Sequence, residues 1–243
     1  MKSILQNIIA YTHNLGFIDL VKVTGTEQST VITAIAEDRT VIITGTLKDP
    51  RAELLGVFGM PNLGKLKTIL GFDDYDADSK IDVVNQDRNG VIAPEIISFA
   101  TKNGDFVNSY RLMLKVIVEE KIKTVTFKGA GWNVEFEPKV NNIIRLRKQA
   151  QANSEEATFV TKVDAGDLKI FFGEPSTHSG NFVFESGVTG KLTHAWQWPV
   201  DRVLSILSLP GDKMFRISDQ GATEITVDSG LAVYQYLLPA MTK

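Results

Sequence analysis

The chain is predicted to adopt an α+β fold of two domains. Three features of its 243 residues carry this: helical periodicity in only four segments, short strands through most of the remainder, and paired helix spacings. Helix starts at residues 2 and 62 are sixty residues apart, and so are those at 139 and 199. A strand-helix-three-strand unit therefore recurs, two copies to a domain, with the leading strand of the first copy missing. The period exceeds that of solenoid repeats. The expected organisation is an N-terminal domain over 1–114, a connector over 115–131 and a C-terminal domain over 132–243.

The elements follow in order. Residues 2–15 place Ile4, Leu5, Ile8, Ile9 and Leu15 on one helical face, ahead of strands at 19–23, 29–35 and 40–47. A strand at 53–58 leads into helix 62–71, with Leu63, Leu66, Ile69 and Leu70 on its apolar stripe. Strands at 80–84, 90–94 and 106–113 complete that copy. The segment KVIVEEKIKTVTFKGAG, residues 115–131, is charged and β-prone, ends in glycines and reads as an extended crossover. A strand at 132–137 then precedes helix 139–153, with Val140, Ile143, Leu146 and Ala150 turned inward, and strands at 157–163, 167–172 and 181–185. Last come a strand over 189–198, helix 199–208, and strands at 214–218, 222–227 and 232–238. Pro199 and Asp201 suit a helix N-terminus, and Val200, Val203, Leu204 and Leu207 form the stripe of that helix. Gly, Asn and Asp punctuate the strands as antiparallel hairpins require.

Composition narrows the chemistry. At 43% hydrophobic residues the chain can bury one large core or two ordinary ones. It has no cysteine, which removes disulfides, thiolate metal sites and cysteine nucleophiles and fits a reducing compartment. His13, His178 and His194 share no ligand spacing. No segment approaches the roughly 20 apolar residues of a membrane span. The opening MKSILQNIIAYTH is interrupted by Gln6 and Asn7, so it reads as an amphipathic helix rather than a signal peptide. A cytoplasmic protein is expected.

The formal charge of −3 conceals a segregation. The four helices carry Lys2, Lys65, Lys67, Lys139, Arg145, Arg147, Lys148 and Arg202 against the single acid Asp201; everything else carries eighteen basic and twenty-eight acidic residues. Each helix must bury its apolar stripe, so its polar stripe points away from the core. Four such stripes on one side would make a cationic surface on an anionic body, suited to a polyanion. On KVNNIIRLRKQAQAN, residues 139–153, Asn141, Arg145 and Lys148 fall within one narrow arc, able to reach phosphate oxygens without reading bases. Arg147 projects toward the apolar arc and must snorkel or pair.

Other patterns fit less well. GMPNLGKL, residues 59–66, approaches a phosphate-binding loop, but Leu66 stands where a hydroxyl would hold magnesium and Met60-Pro61 is stiff. DDYDADSK, residues 73–80, alternates carboxylates like a calcium loop, but Ser79 replaces the turn glycine and Asn85 the closing glutamate. His194, Trp196 and Trp198 alternate onto one strand face before Pro199, a pattern open to base stacking or to packing.

Two consecutive strand-helix-three-strand units per domain, with basic helices, resemble the DNA polymerase sliding clamps over the whole chain. DKMFRISDQGATEITVDSGLAVYQYLLPA, residues 212–240, is similar to the final strands of that family, and its YLLP resembles the YLAP of the proliferating cell nuclear antigen type. LLGVFGMPNLGKLKTILGF, residues 54–72, resembles the strand and second helix of the bacteriophage clamps. The resemblance implies the DNA clamp fold, with helices on one side of curved antiparallel sheets. Two domains point to its trimeric branch.

The resemblance further implies a non-enzymatic homotrimeric ring around double-stranded DNA. Such a ring is opened by a clamp loader and tethers a DNA polymerase, with no cofactor, metal or membrane. Lys65, Lys67, Lys139, Asn141, Arg145, Lys148 and Arg202 would face the duplex, joined by Gln6, Asn7 and His13 from the first helix. Ile122, Val125, Tyr236, Leu238 and Pro239 would line a pocket for partner peptides. Ring closure would pair edges over 107–114 and 182–188. Two other classes stay open: a β-rich viral structural or assembly protein that does not encircle DNA, and a hydrolase built on Asp73, Asp74 and Asp76.

Overall fold

The computed structural model describes residues 1–88, 91–123 and 129–241. The chain forms two compact units, Met1–Thr126 with Ser229–Tyr234, and Phe127–Asp228 with Gln235–Lys243.

The first unit opens with helix α1 (Lys2–Tyr11) and strands β1 (Leu20–Gly25), β2 (Thr30–Ile35) and β3 (Ile42–Leu47). It continues with β4 (Gly56–Pro61), helix α2 (Leu63–Leu70), β5 (Lys80–Arg88), β6 (Val91–Ala100), β7 (Val107–Arg111) and helix α3 (Lys115–Lys121). Its strands pair antiparallel in the orders β4-β1-β2-β3 and β5-β6-β7. Alternation along β1, β2 and β3 sends Val21, Val23, Ile32, Ala34 and Ile43 into the core, where α1 buries Ile4, Leu5, Ile8 and Ile9. Tyr11 of α1 stacks on Tyr234, with centroids 4.9 Å apart and planes 6° from parallel.

The second unit repeats the scheme: β8 (Val134–Phe136), helix α4 (Val140–Ala152), β9 (Thr158–Asp164), β10 (Asp167–Gly173), β11 (Ser179–Ser186), β12 (Gln197–Pro199), helix α5 (Val200–Leu207), β13 (Asp212–Ser218), β14 (Ala222–Asp228) and β15 (Ala232–Pro239). The sheet orders are β11-β10-β9-β12 and β15-β14-β13-β8. Within each unit the two long helices pack side by side, α1 on α2 and α4 on α5. The sixty-residue repeat is therefore real at the level of elements, including the absent leading strand.

Several elements depart from expectation, each for a local reason. The first helix ends at Tyr11, where the Thr12 hydroxyl donates back to Ile8 O at 2.6 Å, and a short 3₁₀ turn over His13–Leu15 follows. Residues Ala52–Leu54 form a 3₁₀ turn that buries Leu54, so β4 starts later than expected. The connector is not an extended crossover at its start, because α3 occupies Lys115–Lys121 with Val118 buried against β4. Packing there overrides the β-prone composition. Of residues 189–198 only the last two are in a strand. Val140, expected on the apolar stripe of α4, is 71% exposed, because the buried line passes through Ile143 and Leu146 instead.

Candidate nucleic-acid interface

The polar face of each helix follows from which residues it buries, at about 100° per residue. On α2, Leu63, Leu66, Ile69 and Leu70 are buried, so the outward line runs through Gly64 and Thr68, with Lys65 and Lys67 on its two flanks. On α4 the outward line runs through Asn141, Ile144 and Lys148, with Arg145 beside it. Lys65, Lys67, Arg145, Lys148 and Asn141 are exposed, and their side chains make no hydrogen bond or ion pair among the described residues.

The other two helices differ. On α1 the outward face is Ser3, Gln6 and Ala10, without charge. Lys2 lies off that face, and its ammonium donates to the carbonyl of Tyr75. Asn7 is turned inward: its Oδ1 accepts from the Tyr234 hydroxyl at 3.0 Å and the Ser229 hydroxyl at 3.2 Å. His13 Nδ1 sits 3.0 Å from Ile18 O. On α5 the outward line passes through Asp201 and Ser205, while Arg202 lies to one side, 23% exposed and 3.2 Å from the Asp201 carboxylate. Its charge is already matched. The expectation of four cationic helix faces is thus corrected to two, one in each unit.

Lys139 is also committed. Its Nζ lies 2.5 Å from Glu185 Oε1 on β11, a carboxylate only 9% exposed. Arg147 reaches solvent, as one of the two expected outcomes had it, and donates through Nη2 to the Ser208 hydroxyl at 2.8 Å, at the C-terminal end of α5. Of the residues expected around a peptide pocket, Ile122 is buried in the first unit, and Tyr236 and Leu238 in the second; Pro239 is exposed. Val125 lies outside the described residues.

The remaining motifs resolve into local structure. The Asp19 carboxylate accepts from Gly64 N at 3.4 Å and its carbonyl from Leu63 N at 3.3 Å, so an acid occupies the α2 N-terminus where a phosphate would have to bind. Asp76 accepts from the Ser79 hydroxyl and the Asp78 amide, at 3.0 Å each. These bonds, the hydroxyl foremost, hold its carboxyl below the usual range. Asp78 pairs with Lys102 at 2.9 Å. Trp198 is buried and donates to the Thr161 hydroxyl at 2.9 Å, while Trp196 donates to Asp219 O at 2.9 Å, so the indoles serve packing.

Glu185 and Asp19, the two acids set against the helix starts, are invisible in the sequence pattern. Phe184 and Glu185 are both buried because β11 carries a bulge at Phe184, where the pairing steps from Leu168 with Glu185 to Lys169 with Val183 and breaks strict alternation.

No protein-family model matches the chain, and no curated protein matches its sequence. Solved structures do match its fold. Archaeal PCNA from A. fulgidus, in a complex with the C-terminal region of FEN-1, superposes with a TM-score of 0.68 at 10% identity, over 100% of this chain and 95% of that one. PCNA from Thermococcus kodakaraensis superposes with a TM-score of 0.62 at 10% identity, over 99% and 95% of the two chains. Along its whole length, the chain has the α+β clamp fold of the PCNA sliding clamps.

Proposed function

We propose that this chain is a sliding clamp of the bacteriophage type: a homotrimeric ring that encircles duplex DNA and tethers a replicative polymerase. The observation that carries the reading is the coincidence of a full-length clamp fold with exposed cations, lacking side-chain partners among the described residues, on the outer faces of two helices, Lys65 and Lys67 on α2 and Arg145 and Lys148 on α4. Acidic residues dominate the rest of the chain, so duplex phosphates have one class of surface to meet. Few contacts suit the task, since a sliding ring must not read sequence or hold tightly. Topology supplies retention and the tether supplies effective concentration. The role involves no catalysis.

In this reading residues 1–114 and 132–243 are the two clamp domains, joined by 115–131. Copies close head to tail through β7 and β11, each one of the two edge strands of its sheet and otherwise a template for unwanted pairing. A clamp loader opens the ring. Partner peptides dock on exposed apolar surface such as that offered by the outward Val116 and Ile117 of α3 in the first unit. The matched PCNA bound to the C-terminal region of FEN-1 is a precedent for a partner tail.

The test is topological. The protein should have a trimer's mass, persist on nicked circular DNA after loading, and run off linear DNA. Arg145→Glu with Lys148→Glu should leave the mass unchanged and reduce loader-dependent processive synthesis. A monomer indifferent to DNA topology would instead fit a structural or assembly protein.

A further inference from the structure

We infer that the free edge of β5 is a docking site for an extended segment of a partner protein, which adds to the sheet as an antiparallel strand and reads apolar, basic, apolar, acidic along its length.

The internal repeat shows what belongs on this edge. Each repeat is a leading strand, a helix and three further strands, and one rule governs the pairing. The leading strand of one repeat lies antiparallel against the first of the three strands in the other repeat of its unit: β4 on β1, β12 on β9 and β8 on β13. The first repeat has no leading strand, so β5 is the one such first strand left without its partner among the described residues. Other edges are short or blunted. Strands β8 and β12 are three residues long, Met241 N bonds Gln197 O on β12 at 2.9 Å, and Gly59 on β4 exchanges bonds with Met113. By contrast β5 runs for nine residues, a row of N–H and C=O groups long enough to template strand addition.

Burial records the vacancy. Where a leading strand is in place, the core-facing side chains of the strand beside it are sealed: Val21 and Val23 on β1, Phe159 and Thr161 on β9, Phe215 and Ile217 on β13. On β5 the core-facing positions are Ile81 and Val83, opposite the buried Phe99 and Ile97 of β6, yet both are only half-buried. Beside them lies a cavity of about 670 Å³, lined by Met1, Lys2, Gln6, Lys80, Ile81 and Asp82. A leading strand would run into the start of α1 here, as β8 runs into α4.

Side-chain chemistry selects the occupant. In the covered pair, β13 presents Phe215, Arg216 and Ile217, and β8 answers with Phe136, Glu135 and Val134, its glutamate paired to Arg216. Strand β5 presents Ile81, Asp82 and Val83, the same alternation with the charge reversed. Asp82 and Lys80, both exposed, have no side-chain partner among the described residues. An antiparallel strand entering from the Val83 end therefore sets an apolar residue on Val83, a lysine or arginine on Asp82, an apolar residue on Ile81 and an acid on Lys80. Main-chain bonds supply the affinity and the alternate side chains the selectivity.

The probe is a blocked peptide centred on Val-Lys-Val-Glu, with Val-Glu-Val-Glu as its control. Amide exchange in the full chain should slow over residues 80–84 with the first peptide and little with the second. Asp82→Lys should invert the preference, by roughly fivefold in affinity each way, with an unchanged melting temperature. A lysine preference that survives Asp82→Lys, protection that falls on β7 or β11 instead, or binding of neither peptide would overturn the inference. So would protection over 80–84 that rises with protein concentration alone, since the occupant would then be a second copy. The mass of the assembly is read separately, so the ring stands or falls without this site.

Discussion

Lys139 Nζ rests 2.5 Å from Glu185 Oε1, and this contact joins the start of α4 to the edge strand β11. The lysine is largely exposed and the glutamate is not. Removing the cation strands a carboxylate whose other oxygen is already buried without a hydrogen bond among the described residues. Lys139→Gln should therefore cost about 2 kcal/mol of stability while changing duplex affinity little. Adding Glu185→Gln should recover much of the loss in a denaturant titration. A variant as stable as wild type but weakened on DNA would return Lys139 to the phosphate-contacting set.

Lys65 and Lys67 have no such internal duty, and their loss should appear only in binding. Each phosphate neutralised contributes about 0.9 to the slope of log affinity against log salt. Lys65→Gln with Lys67→Gln should lower that slope by about one to two, with an unchanged melting temperature. An unaltered slope would remove α2 from the interface.

Legibility followed the physics of each feature. Most of the helix cores and the approximate positions of the strands among the described residues were readable, because burial imposes periods of 3.6 and 2; Val140 and the strand expected over 189–198 were the exceptions. Helix α3 was not, since Val118 is held by a tertiary contact with β4 that local composition does not encode. The charged residues divided in the same way. That Lys65 and Arg145 point outward follows from their neighbours' burial, whereas the pairing of Lys139 with Glu185 spans 46 residues and depends on a bulge. The Arg202 case was closer to hand, as its partner Asp201 is adjacent in sequence. Counting helix charges without asking which were already matched overstated the cationic surface.

Asp219 offers a pH test in the second unit. Its carboxylate accepts from the Thr193 hydroxyl and from the amides of Thr193 and His194, at 2.8 and 2.9 Å for the amides. These bonds, the hydroxyl first, hold its pKa down at about 2. A carboxyl depressed on folding is protonated more readily when unfolded, so its support is complete above about pH 4 and is lost as pH falls toward 2. Asp219→Asn should lower the melting temperature at neutral pH and flatten its fall between about pH 4 and 2. If both proteins lose stability in parallel across that window, the loop does not depend on this charge.

Gly59 in β4 and Val118 in α3 give the last prediction, on how the connector is seated. A Cβ at position 59 would stand 2.8 Å from Val118 Cγ2 and 3.0 Å from Met113 Cβ, inside ordinary contact distance. The backbone of Gly59 also exchanges hydrogen bonds with Met113, at 2.8 and 2.9 Å, so the strand cannot easily retreat. Overpacking of this kind typically costs about 1–3 kcal/mol. Because α3 is short and buries Val118 as its one fully inward side chain, the strain should be relieved by lifting the helix rather than by distorting the sheet. Gly59→Ala should thus speed amide exchange over residues 115–121 well before β1 or β4 is affected. It should also alter partner-peptide binding without changing duplex affinity, and equal exchange across α3 and β4 would show that the connector is not seated by this contact.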